Sequence, residues 1–407
     1  MRRLWVVAVL GAITAGFAGF GVSGAAGSSS AGAPIPIGVL TSLTGNFTPW
    51  GIQVRDGAAL AVSLINKSGG IASGKLKGRK LKLVVVDDQS TPNAGIDGFK
   101  LLTQQNHVVS IGGVISSSNG VVESQLAEQA HIPLFLVKSG ANEILTPSTR
   151  YTFRSCLPAA AEVAGPILQY AQTHHITSVG AIVADYAWGQ SIKSSLESTF
   201  AGSGIKLTVE VAPVPTKDFT TYLRALQGAQ AQMIVATGHP PGGGAILVQA
   251  GQLGMKVPVA GAYSPFSLVA GAAGSAAYGK YEDFKCENIN SPAWKKLAKK
   301  FLKSFPNDVF FEDDALAGYA YVNIVAKAIA AVGTNPAKIA AYIHANTFDI
   351  PGYTFPLKWT KWGEMSGARI AFDIITKGPA PAGLTNGGAT WYPKQLSISK
   401  PLTPYQP

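Results

Sequence analysis

The chain has 407 residues, of which 47% are hydrophobic and 14% charged, with a formal charge of +11. That length suits two or three domains, and the apolar content supplies a sizeable core and excludes a disordered chain. The positive balance favours anionic surroundings or solutes. Nucleic acid is not among the expected partners, because no basic tract is interleaved with aromatics as a single-strand binder needs.

The chain opens with "MRR", continues through the apolar "LWVVAVLGAITAGFAGFGV" and leaves through "SGAAGSSSAGA". This order reads as a secretory signal peptide and small-residue linker over residues 1–33, with cleavage near Ser23–Ala25 or Ala31–Ala33. A membrane anchor is the alternative reading of the same run. Removing Arg2 and Arg3 lowers the charge from +11 to +9. No cysteine stands near the exit, so the expected protein is exported, to the periplasm, cell envelope or beyond, and is not a lipoprotein. No later segment reads as long and apolar enough to span a bilayer. Cys156 and Cys286 are the two cysteines. In an exported chain they suggest one disulfide, with two free buried thiols as the alternative.

Past this segment, short apolar runs alternate with helical spacing. Strands are expected at 35–40, 80–88, 108–115 and 132–137, and helices at 51–70, 93–105 and 119–130. A second series follows, with helices at 162–174, 189–204, 219–229 and 244–255 and strands at 178–185, 205–214, 232–238 and 257–262. The pattern then turns helical at 291–304, 313–332 and 336–345, and a tail of short extended pieces closes the chain. Successive βαβα series imply parallel sheets covered on both faces. Two such series imply two similar domains, with the late helices returning to complete the first. Ligands of open α/β sheets sit off the carboxyl ends of the strands, so the loops of two facing domains would meet in one cleft.

One such loop is "SSS" (116–118), where a strand hands over to a helix. The serines either cap the helix or line a site for a small anion, since a helix start carries unpaired N–H donors. The basic tracts "GKLKGRKLK" (74–82) and "WKKLAKKFLKSF" (294–305) are the two lysine clusters. The second reads as a surface helix docked on the core, with a membrane-surface helix as the alternative.

Catalytic constellations are missing. There is no G-x-S-x-G elbow and no P-loop. "GHPPGGG" (238–244) lacks dinucleotide spacing. His174 and His175 have no partners at metal-ligand spacing, so no metal or other cofactor is expected. Asp87 and Asp88 end a strand and face opposite ways, which suits turn capping better than acid–base work.

The order of "IPIGVLTSLTGNFTPWG" (35–51), "KLKLVVVDDQSTP" (80–92), "IGGVISSS" (111–118), "YTFRS" (151–155), "DYAWGQS" (185–191) and "PLKWTKWGEMSG" (356–367) resembles the type I periplasmic solute-binding proteins, in the branched-chain amino acid branch serving ABC transporters. The resemblance implies two Rossmann-like lobes joined by three hinge strands, 34–155 plus 287–355 and 156–286 plus 356–385, with a tail at 386–407. It implies a monomeric, non-enzymatic protein that closes on a small solute and docks on a permease. A sensing subunit with the same lobes is the rival binding reading, and a secreted hydrolase the rival enzyme. The implied ligand residues are Trp50, Ser116, Ser117, Ser139, Gly140, Trp188, His239 and Tyr263. The resemblance also implies that a Cys156–Cys286 bridge would tether the hinge. Amino acid binders of the family place an acid where Tyr263 stands, to pair the ligand ammonium. Its absence points to an apolar or aromatic carboxylate or amide, unless Glu143 or Asp185 supplies the charge.

Overall fold

The computed structural model describes residues 32–238, 242–381 and 384–407; the expected signal peptide and most of its linker, and His239, lie outside these. From Ala33 onward the chain forms one unit. Its first series is β1 (Ile35–Thr41), α1 (Thr48–Lys67), β2 (Leu81–Asp87), α2 (Pro92–Lys100), β3 (Ile111–Val114), α3 (Ser117–Ala130), β4 (Leu134–Leu136) and β5 (Thr152–Arg154). The second is α4 (Ala160–Thr173), β6 (Ser178–Ala184), α5 (Ala187–Phe200), β7 (Lys206–Ala212), α6 (Thr220–Gly228), β8 (Met233–Thr237), α7 (Gly242–Gln252), β9 (Val259–Gly261), α8 (Phe266–Ala273) and β10 (Tyr281–Lys285). Then come α9 (Pro292–Ser304), α10 (Asp313–Val332), α11 (Pro336–Ala345), β11 (Ala371–Lys377) and β12 (Trp391–Ile398).

The strands form two sheets. The first, in the order β2-β1-β3-β4-β5, is parallel throughout. The second runs β12-β11-β10-β9-β8-β6-β7 and turns antiparallel at β10–β11 and β11–β12. β1 is buried at six of its seven positions, as expected of a parallel strand covered on both faces. The fold is thus α/β with two Rossmann-like lobes.

Three helices start in the same way. Thr91, Ser291 and Asn335 each accept a first-turn N–H through the side chain and are followed by proline. The late helices return to the first lobe. α10 crosses α1 so closely that a Cβ on Gly57 would strike the Ala315 carbonyl, and one on Gly318 the Val54 carbonyl. Only glycine permits this approach.

Three expectations need correction. α10 is long and apolar enough to cross a membrane, contrary to the reading of the sequence, but its acidic first turn and its packing on α1 make it a core helix. The lobe boundary expected at 355/356 falls later. Gly363 accepts from the Arg154 N–H, the Trp359 indole donates to the Arg154 carbonyl, and Trp359 packs on Phe135 and Phe153, so residues 357–365 stay with the first lobe. The separate tail at 386–407 is not separate, since β12 adds an edge strand to the second sheet.

The lysine-rich helix α9 buries Trp294, Leu297, Ala298, Phe301 and Leu302. Its apolar face therefore belongs to the core and is not available for insertion into lipid. Cys156 and Cys286 form a disulfide with their Cα atoms 5.5 Å apart. They follow β5 and β10, so the bridge ties together two of the segments that cross between lobes.

Candidate functional site

The loops after the strands meet between the lobes. The wall of the enclosed space holds Phe47, Trp50, Ile115 and Lys138 from the first lobe, and Tyr186, Trp188, Tyr263 and Ser264 from the second. The space is about 20 Å³, room for a water, whereas small-molecule sites enclose roughly 300–1,000 Å³. The lobes are therefore closed on their own side chains, and a solute enters only when they part.

Several contacts hold this closed form. The Trp50 indole donates to the Tyr263 carbonyl at 3.2 Å, and the Phe47 and Tyr186 rings lie 5.3 Å apart. The Asn142 N–H donates to Ser191 Oγ at 2.8 Å. Glu312, just before α10, accepts from the backbone N–H groups of Phe266 and Ser267 at 3.0 and 2.8 Å. An acid of one lobe thereby caps α8 of the other, where the helix dipole favours negative charge.

The serine helix start differs from the three capped starts. Ser116 occupies the N-cap position of α3 with extended backbone angles, yet its side chain makes no cap bond. Ser117 Oγ accepts from the Ala141 N–H at 3.2 Å. Ser139 Oγ donates to the carbonyl cluster of Val114, Ile115 and Ser116, the nearest at 3.0 Å. These two hydroxyls fasten the 138–141 loop to the helix start. Arg154, fully buried and paired with Glu364 at 2.7 Å, donates to the Ser139 and Ala141 carbonyls and fixes the loop from below. Gly140 lies against the Trp188 ring, where any Cβ would collide. The aromatic thus takes the volume that a threonine or serine at 140 would fill.

Among the expected residues, Trp50, Trp188 and Tyr263 line the closed space. Ser116, Ser117, Ser139 and Gly140 stand directly behind it, and their chain neighbours Ile115 and Lys138 form the wall. His239 lies outside the described residues. Glu143 and Asp185 are exposed and do not line the cavity, so neither supplies the missing negative charge.

The charge that does face the space is Lys138. Its ammonium is 2.6 Å from Asp313 and 3.6 Å from Asp314, and it lies 4.7 Å from the Tyr263 ring centroid. Asp313 also meets Lys285 at 3.5 Å. Both carboxylates lie behind the ammonium, on α10, and outside the cavity wall. Burial pushes Asp314 well above the usual carboxylate range, against the pull of Lys138. The Cys156 and Cys286 sulfurs group with Asp313, but they are bonded to each other and offer no thiolate.

Tyr263 is itself unusual. Its φ of +63° is rare for a bulky residue and marks local strain. Asp283, fully buried, accepts from the N–H groups of Tyr263 and Ser264 at 2.6 and 3.0 Å and holds this turn. Burial lifts Asp283 to about 6 despite nearby Lys285. The Tyr263 phenol is driven well above its usual range by burial and by neighbouring Asp313 and Asp283, so it keeps its proton. Its hydroxyl has no hydrogen-bond partner among the described residues.

Comparison with known proteins agrees with this architecture. A periplasmic binding protein family profile matches residues 34–369. The chain is 26% identical over 342 residues to the leucine-, isoleucine-, valine-, threonine- and alanine-binding protein of Pseudomonas aeruginosa, covering 82% of this chain and 88% of that one. It is 29% identical over 329 residues to Leu/Ile/Val-binding protein homolog 1 of Brucella melitensis, covering 76% and 82%. Among solved structures, a leucine-binding protein of Thermotoga maritima superposes with a TM-score of 0.75 at 16% identity, covering 90% and 99%. An ABC transporter solute-binding protein of R. palustris in complex with benzoate gives 0.76 at 17% identity, covering 92% and 98%. The chain belongs to the periplasmic binding protein family. It is a two-lobed solute-binding protein with an extracytoplasmic place of work.

Lys138 escaped the sequence reading although the next two residues, Ser139 and Gly140, were named. The available signal was a lysine closing the apolar run "IPLFLV", where burial demands a partner. Phe47 and Tyr186 were missed because aromatic residues in loops read equally well as packing.

Proposed function

We propose that the chain is an exported, non-catalytic, monomeric receptor for a small organic carboxylate with an apolar or aromatic body, which it delivers to the permease of an ABC importer. One observation carries this reading: among the described residues, the charged side chain walling the closed cavity is Lys138, and no acidic side chain walls it. An α-amino acid would bring an ammonium toward a lysine, which costs far more than leaving a neutral group unpaired. A carboxylate instead meets the third donor of an ammonium already anchored by Asp313, and the unpartnered Tyr263 hydroxyl beside it. Trp50, Trp188, Phe47 and Tyr186 supply flat apolar faces for the body of the ligand.

The lobes act as 34–155 plus 287–365 against 156–286 plus 366–407. Ligand contacts made only in the closed form shift the open–closed equilibrium, and the closed rim is what a permease reads. The R. palustris protein solved with benzoate supports an aromatic carboxylate, while the names of the curated relatives support branched-chain amino acids. The missing acid favours the former. A thermal-shift screen tests this: benzoate, its hydroxylated forms and short branched carboxylates are expected to raise the melting temperature by several degrees at millimolar concentration. Stabilisation by leucine or valine with no response to the acids would refute the carboxylate reading.

A further inference from the structure

The two lysine tracts play no part in solute capture, and the fold brings them together. Gly74, in the loop before β2, packs against the backbone carbonyl of Ala330 near the end of α10. α9 lies alongside, so Lys77, Lys300 and Lys327 border one open groove of about 750 Å³ whose walls contain no acidic residue among the described residues. Lys296, Lys299 and Lys303 continue this basic rim along the exposed face of α9. None of these six lysines has a carboxylate within ion-pair distance among the described residues. Many acids of this lobe, including Glu123, Glu287, Glu312, Asp313 and Asp314, are buried and cannot offset the rim.

The position of this face matters. It lies at the amino-terminal ends of the first sheet's strands, opposite the cleft. The chain enters β1 on the same side: Arg79 Nε donates to the Ala33 carbonyl at 3.0 Å, and the Ile35 N–H to Lys80 at 2.8 Å. Ala33 and Ile35 are therefore fastened beside the Lys77 loop.

We propose that this pole of the first lobe docks on anionic phospholipid, with headgroup phosphates over Lys77, Lys300 and Lys327. Docking is electrostatic, because the apolar side of α9 is committed to the core. Clustered lysines gain from a negative membrane surface within a Debye length, and the attraction fades with salt. A protein held this way presents its cleft to the aqueous side and stays concentrated near its transporter between deliveries.

The test is vesicle flotation of the chain from Ala33 onward, which forms a unit by itself. Phosphatidylglycerol-containing vesicles are compared with pure phosphatidylcholine at 50 and 300 mM salt. The triple variant Lys77→Glu/Lys300→Glu/Lys327→Glu is compared with a control reversing Lys206, Lys217 and Lys256, which are exposed on the second lobe. Circular dichroism and melting confirm that both variants fold. The expected result is salt-sensitive binding to anionic vesicles only, weakened at least tenfold in the triple variant and less than threefold in the control. Equal binding to phosphatidylcholine, no binding at all, or equal losses in both variants would overturn the proposal. Displacement by inorganic phosphate at constant ionic strength would also overturn it, in favour of a soluble anion.

Discussion

Two groups of buried carboxylates in this protein meet different fates. At the hinge, Asp313 is held by Lys138 at 2.6 Å and Lys285 at 3.5 Å, beside the Cys156–Cys286 bridge. Behind β2, Asp88 and Glu123 share a buried site in which no lysine or arginine pairs with either among the described residues. Asp88 accepts from Ser42 Oγ and the Ser90 N–H at 2.7 and 2.8 Å. Glu123 has Asn119 as its polar neighbour, and burial together with the charge of Asp88 pushes it well above the usual carboxylate range. The first group sets its carboxylate between two ammonium groups and places one of them at the cleft. The second avoids the cost by retaining a proton. Burial alone thus does not mark a functional acid; what matters is whether a cation is fixed between that acid and the ligand space.

The largest effect is expected from breaking the first group. Lys138→Met leaves Asp313 with a single, longer pairing and should destabilise the fold by about 3–5 kcal/mol in denaturant melts. Adding Asp313→Asn should recover only part of that loss, because it strips buried Lys285 of its ion-pair partner, and should not restore solute binding. Full stability of the single variant would show that the pair is not buried as described. Next comes the bridge: Cys156→Ser/Cys286→Ser should cost about 2–4 kcal/mol, since it closes a loop spanning 130 positions. An unchanged melting temperature would contradict a tethered hinge.

The second group predicts a pH dependence with a definite sign. A carboxyl whose pKa is raised on folding binds more protons in the native state. Stability is then highest at or below the ordinary carboxylate pKa and falls as pH rises toward the raised value. Glu123→Gln should therefore stabilise the protein by about 1–3 kcal/mol at pH 8 and change little near pH 4. Equal effects at both pH values would mean that Glu123 is not protonated in the fold. The smallest effect concerns helix starts. Ser291→Ala removes a side-chain cap and should cost about 1 kcal/mol, whereas Ser116→Ala removes none and should cost under about 0.5 kcal/mol of stability while weakening ligand binding. A stability loss at Ser116 equal to that at Ser291 would make it a cap after all.

The strands and helices of both series were legible because apolar period and helix stops agree along "IPIGVLT" and "VRDGAALAVSLINKSGG". Trp50, Trp188 and Tyr263 were legible only through the resemblance to the type I solute-binding proteins, which marks those positions as ligand residues. β10 was not anticipated, and β11 and β12 were read only as short extended pieces of a tail, because the mixed polarity of "YEDFK" and "AFDIITK" hides their place inside the second sheet. The role of Lys138 was hidden because its partner Asp313 lies 175 residues away. Long-range charge pairing leaves no local period to read.

The central claim is that the cleft accepts a carboxylate and rejects an ammonium. Calorimetry comparing leucine with 4-methylpentanoate, and phenylalanine with 3-phenylpropanoate, isolates that single group. The deamino acid of at least one pair should bind tenfold or more tightly than its amino acid. Tighter binding of the amino acids in either pair would contradict the claim.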